Sequence, residues 1–508
     1  MLDKEKKPSS EPGECSNPPE ELSMAEVIVS QKNVDGNAAS KQGAQSLWAA
    51  WWGVLILLRP AFSQWRVFMW FALSVAGITI RADTLGGVSS IMRSLKLKKC
   101  FYDALLRNFH SNAVRLDELS ALWTRIVLRL FPAPLRVNGR LVLVGDGIKI
   151  AKCGRKMPGV KALHQQSATK ATHIMGHSLQ AVCLLVHAAQ SVIAVPLTTH
   201  IHEGVVFSNG NWKTLLDKMI QLLGIVAVGE SYYFVGDAYY AARAIIAGLL
   251  KQGNHLITRV RSNAVAYVPY VHYGPKKRGR PRTYGKKIEL VSLFKSKKMR
   301  QAASPVYGEQ NVPVHYIVRD LLWKPVGRLV RFVAVAHPTR GSFLLMSTDT
   351  ALDPLEILRA YGLRWKIEVS FKQAVHQIGT FAYRFWMKQM VPQRRGDGNQ
   401  YLHRKSIEYR EAVKRKLHAY HVFIQAGVIA QGLVQYLSIA FPELVWTEFR
   451  SWLRTIRPGI APSEFVVSEA LRQSLPYFLI SNANHHPFAK FITKRQDPEK
   501  MEMFRMAA

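Results

Sequence analysis

Three apolar runs of strand length follow one another in the middle of the chain. They are LVLV at 141–144, HSLQAVCLLVHAA at 177–189 and QSVIAVPLTTHI at 190–201. Runs rich in Val, Ile and Leu and bounded by turn residues are typical of buried strands. Their succession predicts a three-strand meander.

An alternation of helix and strand patterns comes next. NWKTLLDKMIQLLG at 211–224 has apolar residues at helical spacing. SYYFVGDAYYAARAIIAGLLKQG at 231–253 combines a strand, a Gly-Asp pair and a helix, and NHLITRV at 254–260 is a further strand. Together with the meander, this order predicts an α/β core in which a mixed sheet is flanked by helices.

The regions around this core differ in pattern. Residues 262–345 hold a basic stretch followed by alternating strand-like runs, which predicts a β-rich insertion. Residues 1–44 are rich in Ser, Glu, Pro and Asn, as disordered tails are. The predicted organisation is a tail at 1–44, a helical N-terminal domain at 45–138, the first part of the core at 139–261, the basic insertion at 262–345, the second part of the core at 346–385 and a helical C-terminal region at 386–508.

The segment after the insertion predicts a helix with a defined start. Asp353 is suited to the N-cap and Pro354 to the first helical position, and the pattern continues to about residue 378. On a helical wheel Leu363, Ile367 and Phe371 share one side, which predicts that this side faces the core.

A neighbouring side of the same helix carries one acid among polar and basic residues. Tyr361, Arg364, Glu368 and Lys372 follow at spacings of three, four and four residues. An ordinary solvated face with i,i+4 ion pairs, each worth roughly 0.2–0.5 kcal/mol, would have the same pattern. The rest of the sequence decides between this interpretation and a functional one.

The composition indicates a polyanionic partner. The 508 residues are 48% hydrophobic, which is enough for a large folded core, and carry a formal net charge of +35. Residues 1–44 contain eight acids and five lysines, so the remaining chain carries +38. Such an excess predicts nucleic acid as the partner, with an anionic membrane surface as the alternative.

The cysteines and the most apolar segment favour a cytoplasmic protein. The four cysteines form no CxxC pair, so neither a zinc ribbon nor a disulfide framework is predicted. The N-terminus lacks the apolar segment of a signal peptide. Arg59, Pro60, Gln64 and Arg66 interrupt the apolar residues 46–80, so no run reaches the ~20 residues of a membrane span. Buried helices are therefore expected, and no membrane partner.

Two aspartates follow strands in the same way, and a glutamate completes the set. LVLVGD and YYFVGD place Asp146 and Asp237 after buried runs, and Glu368 comes from the later helix. Carboxylate oxygens are the ligands that Mg²⁺ prefers. Two such ions about 3.5–4 Å apart can activate a nucleophile and stabilise the leaving oxygen of a phosphodiester. Each acid also has an ordinary alternative: a turn for Asp146, a helix N-cap for Asp237 and an ion pair for Glu368. Their joint order favours a metal site.

With these motifs, the sequence resembles the DDE transposases of the IS4-like group, which have a ribonuclease-H-like catalytic core. The resemblance covers roughly residues 140–380 and lies in LVLVGDGIKI, YYFVGDAYY and LLMSTDTALDPLEILRAYGLRWKIEVSFKQA. It implies that Asp146, Asp237 and Glu368 are the catalytic metal ligands, holding two Mg²⁺ ions for which Mn²⁺ can substitute. It further implies that Tyr361 and Arg364 contact the DNA backbone.

One position departs from the family pattern. The resemblance leads us to expect a lysine seven residues after the glutamate, where this chain has Val375. Lys372 lies on the same helix face as Glu368 and is a candidate replacement. The departure keeps a non-catalytic, DNA-binding relic open as an alternative.

Further cations are candidates for DNA contact. The segment 276–300 has eleven basic residues and one acid, and within it Arg278, Arg280 and Arg282 surround an extended GRPR. Arginines of this kind can enter a narrow minor groove. Arg259 and Arg261 leave a strand near the expected site and are candidate phosphate ligands.

The predicted function is that of a transposase of a prokaryotic insertion sequence, acting in the cytoplasm at the nucleoid. It would hydrolyse a phosphodiester at each transposon end and join the end to target DNA. The implied partners are double-stranded DNA, as transposon ends and target, and a second copy of the chain on DNA. A nuclease or resolvase of the same fold, without strand transfer, is the enzymatic alternative.

Overall fold

Polar residues at helix starts define much of the secondary structure. Ser46, Thr214, Asp353, Ser406 and Ser463 each precede a helix, and each side chain accepts a hydrogen bond from a backbone N–H of the first turn. A computed structural model of the chain describes residues 46–82, 86–165, 171–188, 191–210, 213–272 and 282–500. The predicted tail at 1–44 lies outside the described residues.

Helices lie on both sides of the sheet region along the chain. The α-helices are α1 (Leu47–Leu55), α2 (Trp65–Thr79), α3 (Val88–Ser94), α4 (Tyr102–Phe109), α5 (Leu116–Leu130), α6 (Leu215–Val226), α7 (Arg243–Lys251), α8 (Pro354–Gly362), α9 (Lys366–Gln373), α10 (Ile407–Ala440), α11 (Pro442–Glu448), α12 (Glu464–Asn482) and α13 (Pro487–Thr493). Short 3₁₀ segments are Ile56–Ala61, Lys99–Phe101, Ala238–Tyr240, Leu290–Lys295 and Leu363–Trp365, and Ala374–Ile378 forms a π-helical turn.

The strands lie between α5 and α10. They are β1 (Arg136–Val137), β2 (Arg140–Ala151), β3 (Lys161–His164), β4 (His173–Ala188), β5 (Ser191–Ile201), β6 (Val205–Val206), β7 (Tyr232–Gly236), β8 (His255–Val260), β9 (Val265–Pro269), β10 (Tyr284–Glu289), β11 (Arg300–Ala303), β12 (Pro313–Trp323), β13 (Arg328–His337), β14 (Gly341–Ser347) and β15 (Gln400–Tyr401).

The centre of the sheet has the order β5-β4-β2-β7-β8. Strands β2, β7 and β8 are parallel, while β4 is antiparallel to both β2 and β5. This is the predicted meander followed by β/α alternation, and it is the ribonuclease-H-like arrangement. The expected α/β core of a mixed sheet flanked by helices is confirmed.

The β-rich segment extends this sheet. Strand β14 pairs antiparallel with β8, and β13, β12, β9 and β10 follow outward from it. The segment 262–345 therefore does contain the predicted strands, and they share hydrogen bonds with the core. The described residues between 46 and 500 form one compact unit, and the individual domain boundaries remain predictions.

The helices from the two ends of the chain pack on each other. Trp52 stacks on Phe488 with ring centroids 5.1 Å apart, and the Trp48 indole donates a hydrogen bond of 2.9 Å to the Leu471 carbonyl. The long helix α10 passes through this region and packs against β5 and α2. Its length and composition would suit a membrane span, but 94% of its most apolar window is buried inside the protein. Its apolar residues therefore belong to the core.

Candidate active site

Asp146 and Asp237 come from adjacent parallel strands. The pairing of β2 with β7 ends at Val144 and Val235, and each aspartate lies two residues beyond its valine. Because side chains alternate along a strand, each aspartate faces the same side of the sheet as its valine. That side is covered by α8 and α9, whose apolar residues share a core cluster with both valines.

The position of Asp146 corrects one detail of the sequence prediction. We expected the strand to end before Asp146, but β2 continues to Ala151. Only β7 ends here, while β4 keeps pairing with β2 as far as Ala151. Asp146 therefore lies within β2, just beyond the point where the pairing of β2 with β7 ends.

Asp237 also caps a short helix, as the ordinary alternative predicted. Its Oδ1 accepts a hydrogen bond of 3.1 Å from the Tyr239 N–H, at the start of the 3₁₀ turn Ala238–Tyr240. The Thr258 hydroxyl donates a 2.6 Å hydrogen bond to the Asp237 carbonyl. Thr258 was missed by sequence reasoning, since a Thr in a strand gives no signal of such a contact. The capping role leaves Oδ2 of Asp237 without a hydrogen bond among the described residues.

The predicted helix exists but is not uniform. It runs as α8, the 3₁₀ turn Leu363–Trp365, α9 and a π-helical turn. Leu363 and Ile367 are buried as predicted, and Phe371 packs partly buried against the same cluster. Glu368 lies in the first turn of α9.

Arg364 joins two of the three acids. Its Nη1 donates to Oδ2 of Asp146 at 2.7 Å, and its Nη2 donates to Oε1 of Glu368 at 3.1 Å. The Arg364 side chain is 19% exposed, Asp146 21% and Glu368 59%. The i,i+4 pair that the ordinary alternative predicted is therefore present, and the same guanidinium also reaches the sheet.

The charges of the site act on one another. Burial raises the pKa of Asp146, the Arg364 guanidinium and the Gly147 N–H lower it, and the carboxylates of Asp237 and Glu368 raise it again. Burial opposes the charge of Arg364, yet Asp146 and the weaker effects of Tyr361, Glu368 and Asp237 together outweigh it. The pKa of Arg364 therefore lies above its ordinary value. All three acids therefore lie within electrostatic range of one cation.

Two further predicted residues belong to this cluster. Burial raises the pKa of Tyr361, and the charges of Arg364 and Arg259 act against that shift. Arg259 is exposed on β8, with its guanidinium carbon 5.9 Å from the Phe343 ring centroid. Tyr361 therefore lies within electrostatic range of Asp237 and Arg364, and Arg259 lies within range of Tyr361.

The other predicted DNA contacts are more scattered. Lys372 is exposed on α9 and makes no ion pair within the described part of the chain, and Arg261 is exposed just beyond β8. Arg282 donates to the Tyr284 carbonyl and lies 5.2 Å from the Tyr270 ring centroid, in the β-rich segment. Arg278 and Arg280 lie outside the described residues.

The three acids suit a hard divalent cation by their chemistry. All donors are carboxylate oxygens, and Oδ2 of Asp237 and Oε2 of Glu368 accept no hydrogen bond among the described residues. Among those residues, no three His, Cys, Asp or Glu side chains are gathered as a metal site. Arg364 instead contacts both Asp146 and Glu368. Burial and, to a smaller extent, the charges of Asp237 and Glu368 raise the pKa of Asp146, and a bound cation would oppose both effects.

The comparison with protein families decides the class. Residues 85–310 match the family model described as DDE superfamily endonuclease. Over these residues the chain is similar to the DDE superfamily endonucleases. The matched region contains Asp146 and Asp237 and ends before Glu368, and it does not distinguish the IS4-like group from other members of the superfamily.

Two other comparisons add little to this assignment. No curated protein sequence matches the chain. Among solved structures, the chain is similar to the piggyBac transposase synaptic complex with hairpin DNA, at 11% identity and a TM-score of 0.32, over 93% of this chain and 82% of that one. A similarity this low carries no argument about function.

Proposed function

We propose that this protein is a DNA transposase of an insertion sequence, of the IS4-like group. It hydrolyses a phosphodiester at each transposon end and then joins the freed 3′-hydroxyl to target DNA. The observation that carries the proposal is the contact of Arg364 with Asp146, 218 residues away, and with Glu368. This contact brings one strand aspartate and the helix glutamate together, and the charge of Asp237 acts on both Asp146 and Arg364.

In this proposal Asp146, Asp237 and Glu368 hold two Mg²⁺ ions, with Mn²⁺ as a substitute. When bound, such ions activate the attacking oxygen and stabilise the leaving one. Asp237 orients its free oxygen by using the other one for the Tyr239 N–H. Asp146 is held by the Gly147 N–H at 2.7 Å and by Arg364.

The neighbouring cations hold the DNA. Arg364, Lys372 and Arg259 surround the acids, and guanidinium and ammonium groups contact phosphates through charge-assisted hydrogen bonds. Tyr361 and Arg261 complete this border. Arg278, Arg280 and Arg282, of the basic sequence 276–300, are further DNA contacts in this proposal. Two copies of the chain bring two transposon ends together, and the protein acts at the nucleoid of a prokaryotic cell.

One observation favours a second candidate. Val375 occupies the position of the family lysine, in the π-helical turn, and is 37% exposed, so a cation at this position would face solvent or DNA without rearrangement. The valine found there instead is what keeps a DNA-binding relic without catalysis open as the second candidate. An endonuclease without strand transfer is the other outcome that the test must separate.

The decisive experiment is an excision and joining assay. A marker is bracketed by the DNA that flanks the gene in its genome, and wild-type protein is compared with Glu368→Gln. The matched control is Glu356→Gln, because Glu356 is a carboxylate of α8 that pairs with Arg359 on the same helix. We expect excision and joining with wild type and Glu356→Gln and neither with Glu368→Gln.

The other outcomes have distinct meanings. Cleavage without joining would establish the endonuclease alternative, and binding without cleavage would establish the relic. Equal excision by wild type and Glu368→Gln would overturn the assignment of the acids.

A further inference from the structure

A surface-exposed tryptophan stands between two cavities outside the acid cluster. Trp386 lies in the irregular segment between the π-helical turn and α10, and its side chain is 64% exposed. A cavity of about 420 Å³ and another of about 250 Å³ are both lined by Arg384 and Trp386. We call these two residues and both cavities the Trp386 surface.

The indole is held in place by its neighbours. A Cβ added at Gly154 would lie 2.8 Å from Nε1 of Trp386, so the indole rests directly against a backbone without a side chain. The Met387 N–H donates to the Lys156 carbonyl at 2.9 Å, and the Gln393 N–H donates to the Arg155 carbonyl at 2.7 Å. These bonds fix the tryptophan segment on the loop that follows β2. The exposed ring is therefore positioned before any ligand arrives.

The lining of both cavities is cationic. Lys416 lines the larger cavity and Lys152 the smaller one, Arg384 lines both, and neither lining includes an aspartate or glutamate. Arg384 makes no ion pair or hydrogen bond within the described part of the chain. Exposed Arg155 and Lys388 lie on the two fixed segments beside it. The surface thus offers positive charge, and no acid among the described residues lines its cavities.

Lys152 adds a buried cation at the floor of the smaller cavity. It donates to the Tyr383 carbonyl at 3.2 Å and lies 3.5 Å from the centroid of the Tyr383 ring. Burial and the charge of Arg384 lower the pKa of Lys152 to about 7. An anion in this cavity would stabilise the protonated lysine.

The surface is joined to the acids by one strand. Strand β2 carries Asp146 and ends at Ala151, immediately before Lys152. Six residues of extended strand span ~20 Å, which is about six base pairs of duplex at 3.4 Å per pair. A DNA strand held at the acids can therefore reach the tryptophan.

We propose that the Trp386 surface binds an unpaired nucleotide of the DNA, with its base stacked on the Trp386 indole and its flanking phosphates held by Arg384, Lys416 and Lys152. The bases of an intact duplex already stack on each other, so an aromatic face is available only to an unpaired base. Aromatic rings between cations are the means by which proteins bind single strands. The inference rests on the proposed function for its choice of DNA as the ligand.

The test measures binding without catalysis. Protein with Glu368→Gln is titrated, without divalent metal and at constant salt, against a blunt duplex and against the same duplex with a single-stranded extension of about five nucleotides. We expect the extended duplex to bind more tightly. Trp386→Ala should lose about 5- to 150-fold in affinity for the extended duplex, which corresponds to about 1–3 kcal/mol per stacked base, and little for the blunt one. Trp386→Phe should restore most of the preference.

A matched control keeps the result specific. Trp452 is 91% exposed in the loop after α11, so Trp452→Ala removes an equally accessible indole elsewhere. We expect Trp452→Ala to keep the preference for the extended duplex. Equal losses on both duplexes, or an unchanged preference in Trp386→Ala, would overturn the inference.

Failure here and failure of the proposed function are distinguishable. If wild type excises DNA but Trp386→Ala keeps the preference, only the stacking site is wrong. If the preference depends on Trp386 but no excision occurs, only the transposase proposal is wrong.

Discussion

Arg364 donates hydrogen bonds to a strand aspartate and a helix glutamate at once. At the residue scale, this guanidinium occupies the place between Asp146 and Glu368 where a cation would be bound. It neutralises acids whose mutual repulsion would otherwise oppose folding. The same side chain must leave at least one carboxylate when metal binds, and it then becomes available for phosphate.

We therefore expect Arg364→Gln to separate metal binding from DNA cleavage. Removing the competing guanidinium should strengthen Mn²⁺ binding by about tenfold, because a charge-assisted hydrogen bond is worth about 1.5–3 kcal/mol. Cleavage should fall by at least about tenfold because a phosphate contact is lost. Calorimetric titration with Mn²⁺ measures the first effect and a nicking assay the second. Unchanged Mn²⁺ affinity would show that Arg364 does not compete for the acids.

Val375 gives a second prediction at this scale. It is 37% exposed on the π-helical turn that follows α9, so Val375→Lys should be tolerated, changing the free energy of unfolding by no more than about 0.5 kcal/mol. If the family lysine contacts DNA, this variant should raise excision above wild type. Val369→Lys is the control, since Val369 is similarly exposed one residue after Glu368. An equal gain in both variants would indicate added charge alone.

At the scale of elements, a buried polar network connects the glutamate helix to the C-terminal helices. Gln431 of α10 donates to the Ser370 carbonyl of α9 at 3.2 Å, and Gln435 donates to Oε1 of Glu464 at 2.8 Å. Oε1 of Glu464 also accepts a weaker contact from Gln431 at 3.5 Å, while its Oε2 has no partner among the described residues. The network fixes α9 through side chains far from it in sequence.

The network predicts a pH-dependent stability. Burial raises the pKa of Glu464 from 4.5 to about 7, although Gln435 and Gln431 oppose the shift. Between these two pH values the unfolded chain releases a proton that the folded chain keeps, so stability falls as the pH rises. The free energy of unfolding of Glu464→Gln should equal that of wild type below pH 4.5 and should be about 3 kcal/mol larger above pH 7. Urea unfolding across this range measures it, with exposed Glu443→Gln as the control. A constant difference at every pH would contradict the prediction.

Close helix packing supplies another prediction at this scale. A Cβ at Gly427 of α10 would lie 2.6 Å from the Thr380 Cα, whereas one at Gly53 of α1 would meet nothing within 4 Å. Gly427→Ala should destabilise by about 1–3 kcal/mol because a backbone must move. Gly53→Ala should stabilise by up to about 1 kcal/mol because alanine favours the helix. Thermal unfolding of both variants measures the difference in sign, and two shifts of the same sign would count against this packing.

At the scale of the whole molecule, the described residues from 46 to 500 form one unit, and the chain as a whole is strongly basic. The formal net charge is +35, and exposed cations lie near the acids, on the β-rich segment and around Trp386. A field of this size attracts DNA from solution regardless of sequence. The acids are therefore held within a positive surface.

Binding to a non-specific duplex should accordingly depend steeply on salt. Six or more phosphate contacts would reduce the affinity by about a thousandfold or more between 50 mM and 200 mM salt. Fluorescence anisotropy of a labelled duplex measures the slope of log affinity against log salt concentration. Arg259→Ala should reduce the magnitude of that slope by about one, because one phosphate contact is lost. A flat salt dependence would contradict an electrostatic interface.

The sequence by itself determined the strand and helix order, the basic character and the three candidate acids. Alternating and helical apolar patterns are local properties, so LVLVGD and YYFVGD were recognisable without the fold. Glu368 needed the helix pattern and the family resemblance. Local rules predicted its pair with Arg364 because the two residues are one helical turn apart.

Only the tertiary structure decided what these residues do together. The contact of Arg364 with Asp146, the packing of Trp386 on Gly154 and the link from Ser370 to Gln431 join residues distant in sequence, so no periodicity encodes them. The continuation of β2 past Asp146 could not be predicted from the sequence either. It depends on the sheet register, because β7 pairs with β2 only as far as Val144 whereas β4 pairs with it as far as Ala151. Patterns specify which face of an element is apolar, whereas the sheet register and the packing of helices across it determine which polar side chains meet.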